Sequence, residues 1–297
     1  GLCGSYMGAG QLHELIATAR DVIDLIKKKE RTPEFFALHV NAYAGLSAYC
    51  GLCLGWMGNF QEGELFLEKG LRHATRIGDL RTLAVVEFFC GNFCHAKGDW
   101  QAAAEHHQKT ITYCEEAKFV GFLSWSWGYL GSSYTYLGDP ETGRSYGEKA
   151  LKMQQDSGIQ VFLGWQHVVL GDTYLQLGDL EKARALMEEG LRLCRKNNEK
   201  YWEANAWIFL GRILGRTETP QINKAEECIL QGMKIADELK TKLFYAQGHL
   251  FLGELYAHAG QKEKALENLK EAEAMFQKMG TDYWLSQTRK ALEMVRI

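Results

Sequence analysis

Proline is scarce in this chain, with 3 residues among 297. Because proline removes a backbone donor and interrupts helical hydrogen bonding, its scarcity favours long helices. No apolar run approaches the roughly 18 residues that a membrane-spanning helix needs. The first residues lack the basic start and apolar core of a secretory signal, and they lack an initiator methionine. We therefore expect a helical protein with no membrane partner, and we interpret the chain as a fragment or a processed product.

An excess of basic charge is also missing. The chain has 34 Lys and Arg against 37 Asp and Glu, a formal net charge of −3. A surface that binds nucleic acid needs clustered cations to neutralise phosphates. The one short basic run, at 27–31, is interpreted as a solvated helix end. No nucleic-acid partner is predicted.

What the chain does have is a repeat of about forty residues, which is the signature of a repeat architecture. The repeat is marked by a glycine at Gly51, Gly91, Gly131, Gly171, Gly211 and Gly253. Seven residues later a second glycine follows, at Gly58, Gly98, Gly138, Gly178 and Gly260. A small residue and further apolar positions recur in the same register within each unit.

Each unit is predicted to contain two helices joined by a tight turn. Gly178-Asp179 shows the device, and Gly58-Asn59, Gly98-Asp99 and Gly138-Asp139 repeat it. The glycine can end the first helix in the left-handed conformation, and the Asp or Asn side chain can cap the next helix. The glycines predicted to lie within helices are interpreted as steric requirements, because packed helices approach closely only where no bulky side chain intervenes. No unit can bury its apolar stripe alone, so neighbouring units are expected to stack.

The segment Trp127-x2-Leu130-Gly131-x2-Tyr134 resembles the full tetratricopeptide pattern. The resemblance implies an all-α fold, a right-handed α-α superhelix of about six helix-turn-helix units with partial helices at both ends. It predicts six repeats within 44–280, at about 44–83, 84–123, 124–163, 164–203, 204–245 and 246–280. Before them, 1–43 is expected to hold a partial repeat and a connecting helix, and 281–297 a capping helix.

The end of the chain carries a narrower resemblance. The segment Phe276-x-x-Met279-Gly280-x-x-Tyr283-Trp284-Leu285 is similar to the C-terminal repeat regions of signal-transduction ATPases, cyclase-linked ATPases and large ATP-dependent transcription activators. This implies that the chain is part of a larger cytoplasmic signalling protein.

Candidate chemical motifs favour structural interpretations. Cys50-x-x-Cys53 has metal-ligand spacing, but no second pair completes a zinc site, and Cys50 occupies a core position of the repeat. Cys94 and His95 are neighbours on a helix and therefore point to different faces. No phosphate-binding loop or catalytic set is found. We predict no catalytic residue, no cofactor and no metal, and therefore no enzyme.

The inner wall of the predicted superhelix is the candidate binding surface. In the tetratricopeptide family it is lined by recurring positions of each first helix. The resemblance places these residues there: Phe88, Asn92, His95, Trp125, Ser132, Trp165, Asp172 and Arg212. The aromatic members are expected to share one groove with the polar ones, a composition that ligand pockets and protein hot spots use. Alternatively, Trp125 and Trp165 pack against neighbouring helices.

The predicted function is non-catalytic binding of a protein or peptide, possibly a neighbouring domain of the same full-length chain. Family members that dock chaperones clamp a peptide carboxylate with Lys and Asn, and this chain lacks that set. Two alternatives stay open: sensing of a small molecule such as a sugar, and reception of a peptide pheromone in the groove. Unpaired cysteines in helices favour a reducing, cytoplasmic environment.

Overall fold

A computed structural model describes residues 2–28, 35–36, 40–217 and 219–296. Within them the chain forms fifteen α-helices, one 3-10 turn and one two-stranded ladder. The contacts divide the chain into two compact units, Gly1–Ile159 and Gln160–Ile297. The predicted all-α fold class is confirmed. None of the helices in the described residues is long and apolar enough to cross a membrane.

The first unit begins with a helical pair and continues with three more. Its helices are α1 Leu2–Ala9, α2 Leu12–Lys28, α3 Ala42–Trp56, α4 Phe60–Ile77, α5 Leu80–Lys97, α6 Trp100–Glu116, α7 Leu123–Tyr136 and α8 Pro140–Asp156. Two short strands, β1 Phe35–Phe36 and β2 Val40–Asn41, pair antiparallel before α3. This ladder lies within the segment 1–43, for which a partial repeat and a connecting helix remain the prediction. Asn41 then caps α3, because its side chain accepts a hydrogen bond from the Ala44 amide.

The second unit contains three helical pairs and a final single helix. Its helices are α9 Leu163–Gln176, α10 Leu180–Lys196, α11 Lys200–Leu214, α12 Ile222–Glu238, α13 Lys242–His258, α14 Lys262–Met279 and α15 Asp282–Arg296. The last of these helices, α15, lies in the segment 281–297, and its role as a capping helix remains a prediction. The exact limits of the six repeats remain a prediction.

Close helix contacts explain why glycine recurs in the first helix of each pair. A Cβ atom on Gly131 would lie 2.6 Å from the backbone oxygen of Gly143 on the partner helix. The same atom on Gly171 would lie 3.2 Å from the oxygen of Ala183. Both glycines are thus in helix–helix contacts, as the repeat predicted.

The turns between paired helices follow the predicted device at three places. Gly98, Gly138 and Gly178 have φ of 87°, 96° and 83°, and each is followed by an Asp that caps the next helix. The prediction for Asn59 is wrong in one respect. Gly58 has φ of 84°, but the Asn59 side chain makes no capping hydrogen bond. This turn therefore shares the left-handed glycine of the other three but not their side-chain cap.

Candidate functional site

Five predicted binding residues lie in the first unit, on the adjacent helices α5 and α7. We call them the aromatic wall, which consists of Phe88, Asn92, His95, Trp125 and Ser132. Two contacts set the register of the helices. The rings of Phe88 and Trp125 are 6.2 Å apart, and two turns further along, His95 Nε2 lies 2.8 Å from Ser132 Oγ. The structure therefore brings these side chains together along one helix pair.

Trp125 is the partly exposed aromatic residue of this wall. Its ring contacts Phe88 and, at a centroid distance of 5.3 Å, Phe122. Phe88 is buried and also packs edge-on against Tyr129 at 5.9 Å. Aromatic neighbours on several sides hold the indole in one orientation while part of it faces solvent. A rigid, partly exposed indole is a low-entropy contact for a ligand.

His95 is a neutral hydrogen-bonding group. Burial lowers the pKa of its imidazole from 6.5 to about 3, so it carries no charge at neutral pH. Its ring packs edge-on against Trp100 and Tyr129, at 4.9 Å and 5.1 Å. The pair formed by His95 and Ser132 thus adds polarity to the wall without adding charge.

Asn92 lies on α5 between these two contacts and is 5% exposed. Its Oδ1 accepts no hydrogen bond from the described residues. A buried acceptor without a donor costs about 1–3 kcal/mol, so native structures rarely retain one without a reason. The oxygen is itself buried, so a ligand N–H or O–H group would reach it only if neighbouring side chains move.

Behind the wall lies a fully buried histidine, His107. The ring of His107 stacks on Tyr129, with centroids 4.9 Å apart and planes 2° apart. Neither of its ring nitrogens has a hydrogen-bond partner among the described residues, and burial holds its pKa well below 6.5. Gly91 leaves the space it fills, since a Cβ there would lie 2.6 Å from His107 Nε2. Gly91 was therefore the feature of the sequence that could have indicated a large buried side chain packed against it.

The other three predicted residues lie in the second unit. Two of them belong to a cluster that we call the charged wall: Asp172, Arg212, Arg216 and Glu254, on or directly after α9, α11 and α13. Glu254 Oε2 lies 3.5 Å from Arg212 Nε and 3.1 Å from Arg216 Nη2. Arg212 also lies over the Phe251 ring, 4.1 Å from its centroid. The sequence analysis named Asp172 and Arg212 but missed Arg216, which is one helical turn after Arg212.

Trp165, the third of these residues, is 2% exposed and packs against Trp202 with ring centroids 5.6 Å apart. This burial agrees with the alternative that Trp165 packs between helices. The single groove that was expected to hold Phe88, Trp125 and Trp165 draws on both units and stays a prediction.

Three of the cysteines that the sequence analysis considered, or that share their repeat position, have the environment of core residues. Cys50, Cys53 and Cys90 are buried, and burial raises the pKa of the Cys90 thiol well above its usual value. Reactive thiols instead have a lowered pKa. Over the described part of the chain, no three His, Cys, Asp or Glu side chains are grouped so that they could hold a metal ion.

The tetratricopeptide repeat family matches residues 122–196 of the chain. This segment therefore carries tetratricopeptide repeats, as the glycine spacing and the motif at 127–134 predicted. No curated protein sequence matches the chain significantly.

Several solved structures share the fold. A Rap protein complexed with competence and sporulation factor aligns with a TM-score of 0.71 and 14% identity, over 95% of this chain and 79% of that one. NprR in complex with its cognate peptide NprX aligns with a TM-score of 0.64 and 13% identity, over 97% and 82%. The anaphase-promoting complex assembly Cut9–Hcn1 aligns at 0.61 and 16%, over 96% and 48%. Identities this low establish a common fold.

Proposed function

We propose that the chain is a non-catalytic module that binds an extended peptide, or a peptide segment of a protein, on the aromatic wall. The observation that carries the proposal is the partly exposed ring of Trp125 on the same wall as Asn92, whose buried Oδ1 has no donor among the described residues. A peptide supplies both complements, a backbone N–H for the amide oxygen and a side chain for the indole face.

Two further features support a peptide over a highly charged ligand. His95 is neutral, and Ser132 is its hydrogen-bond partner, so this wall presents dipoles instead of ions. Peptide backbones are recognised by such groups. The structures with the same fold include two peptide complexes, the Rap protein with its factor and NprR with NprX.

The experiment selects peptides from a random display library on the purified chain and measures their affinity by fluorescence anisotropy. We expect Trp125→Ala and Asn92→Leu each to weaken a selected peptide at least about tenfold, the range of an interface hot spot. Trp207→Ala is the matched control, because Trp207 is another partly exposed tryptophan and lies outside the wall. It should change affinity less than about twofold.

Selected peptides that bind Trp125→Ala and Asn92→Leu as tightly as the original chain contradict the proposal. A library that yields no binder contradicts it as well. Binding of a sugar panel that both substitutions abolish supports the alternative of small-molecule sensing in place of peptide binding.

The proposed context is a regulatory region of a larger cytoplasmic signalling protein, in which an occupied wall biases a neighbouring domain. Support comes from the resemblance of the segment 276–285 to the repeat regions of signal-transduction ATPases. The coding sequence that adjoins this chain tests it, since an adjacent ATPase or cyclase segment is expected.

A further inference from the structure

A cavity of about 950 Å³ lies in the second unit, at the C-terminal ends of α11, α13 and α15. Its polar lining is formed by Arg216, Glu254, His258 and Lys262, and its apolar lining includes Ala291 and Met294. The cavity shares no residue with the aromatic wall. Neither Arg216 nor Lys262 occupies one of the inner-wall positions that the repeat pattern singled out.

The cationic charge of this lining exceeds its anionic charge. Among the described lining residues, Glu254 is the only acid, against the cations Arg216 and Lys262. Moreover, Glu254 is shared, because Arg212 approaches the same carboxylate oxygen. The carboxylate that Arg216 contacts is therefore not held by Arg216 alone, and Lys262 adds a further positive charge to the lining.

Of the groups that line the cavity, Arg216 is the one whose positive charge another anion would stabilise most. Its side chain is 34% exposed, so it can reach a ligand without leaving Glu254. Burial and then the neighbouring charge of Arg212 lower its pKa, although Glu254 and Asp172 act in the opposite direction. A ligand carboxylate at the guanidinium would add to the effect of these two acids.

The other side of the cavity is apolar. Ala257, Ala291, Met294 and Val295 contribute to it, and Met294 is 70% exposed. An exposed methionine is a flexible contact for an apolar group of variable shape. The two cations Arg216 and Lys262 exceed the single carboxylate of Glu254 by one positive charge. This suits a ligand with one negative charge better than a doubly charged phosphate.

We propose that this cavity binds a carboxylate attached to a compact apolar group. Arg216 and Lys262 contact the carboxylate, and Met294 contacts the apolar group. Two sources share this chemistry, a small carboxylic acid and the C-terminal residue of a peptide. The second source rests on the proposed function, whereas the first does not.

The experiment labels the methionine methyl groups of the full chain with ¹³C and follows the Met294 signal by NMR. Met294→Leu identifies that signal. The probes are N-acetyl-leucine and N-acetyl-leucinamide, which differ only in the charged group, and an N-acetylated tetrapeptide that ends in leucine, as acid and as amide. We expect both acids to bind at least about tenfold more tightly than their amides, a discrimination typical of a charge-assisted hydrogen-bonded pair.

Substitutions then assign the contacts. We expect Arg216→Gln and Lys262→Gln each to weaken N-acetyl-leucine about fivefold or more, as the loss of a charged partner does. Lys234→Gln is the matched control on the exposed face of α12 and should leave affinity unchanged. Glu254→Gln removes the carboxylate that competes with the ligand, so it should tighten binding, which a purely structural role of Glu254 would not do.

Equal affinity of acid and amide overturns the proposal, and so does an unchanged affinity in Arg216→Gln. A peptide acid that binds more tightly than N-acetyl-leucine identifies a peptide terminus as the source, and equal affinities identify a small acid. Acid binding that persists in Trp125→Ala separates this cavity from the aromatic wall. Failure of one proposal therefore leaves the other intact.

Discussion

The aromatic wall of the first unit and the charged wall of the second unit present polar groups in opposite ways. In the first, burial among aromatic rings holds His95 neutral, and it does the same for His107 behind the wall. In the second, the Glu254 carboxylate forms ion pairs with Arg212 and Arg216 at 3.1–3.5 Å. The same helical repeat thus carries neutral hydrogen-bonding side chains on one wall and charged side chains on the other.

The difference follows from what surrounds each polar group. Removing a charge from water is costly unless a partner is present, so an isolated imidazole among rings loses its proton. A guanidinium cannot lose its proton at ordinary pH, so it must keep a carboxylate within reach. Ligands should follow the same division, with neutral hydrogen-bonding groups on the first wall and an anion on the second.

The largest expected difference between the two units concerns equivalent glycines. Gly131→Ala should lower the free energy of unfolding by about 2–3 kcal/mol, because its Cβ meets a backbone oxygen at 2.6 Å that cannot move aside. Gly171→Ala should change it by less than about 1 kcal/mol, since the looser 3.2 Å contact is offset by the higher helix propensity of alanine. Urea unfolding followed by circular dichroism measures both. Equal costs would show that the close contact at Gly131 relaxes.

The second largest expected difference is the loss of folding stability at acid pH, which the two buried histidines should cause in the first unit. The folded-state pKa values of His95 and His107 lie below 6.5, and that of His95 is about 3. Their contribution to stability is therefore complete above pH 6.5 and is lost as the pH falls below it. Each histidine should cost about 1.4 kcal/mol per pH unit below that point. Urea midpoints at a series of pH values measure this loss.

His107→Phe should flatten that pH dependence, because it keeps a ring on Tyr129 and removes a titrating group whose nitrogens have no partner among the described residues. His13→Gln is the control, since His13 is exposed. A pH dependence that is the same in His107→Phe and the original chain would assign the acid sensitivity to other groups.

The smallest expected difference lies in the turns. Asp99 accepts a hydrogen bond from the Ala102 amide at 3.1 Å, so Asp99→Ala should cost about 1 kcal/mol. Gln261, at the corresponding place before α14, makes no side-chain capping bond, so Gln261→Ala should cost less than about 0.3 kcal/mol. Thermal unfolding in parallel compares them. A larger loss at Gln261 would mean that its side chain has a role outside the cap.

Much of the fold could be predicted because its signals are local. The glycines at 98, 138 and 178 predicted turns with positive φ, and each has that conformation. Cap formation was less predictable, since Asn59 has a suitable side chain and makes no cap bond. The short ladder of β1 and β2 could not be predicted, because two residues per strand are too few to show an alternation of apolar and polar residues.

The candidate sites were only partly predictable. Repeat positions predicted an inner wall that includes Phe88, Asn92, His95, Trp125 and Ser132. The structure brings these five side chains together on α5 and α7, and their role in binding stays a prediction. The same reasoning missed Arg216 and could not distinguish the buried Trp165 from the partly exposed Trp125. Exposure depends on the neighbouring helices, and the repeat pattern treats equivalent positions as if their neighbours were equal.

The sequence by itself determined the helical pairs, their turns and the close contacts at the recurring glycines, because a missing Cβ and a positive φ act within one or two helices. Tertiary structure alone decided which polar groups are neutral and which are paired. Glu254 lies 38 or more residues from the arginines that it joins, and Ser132 lies 37 residues from His95. Burial and charge balance are properties of such assembled neighbours, and no short segment contains them.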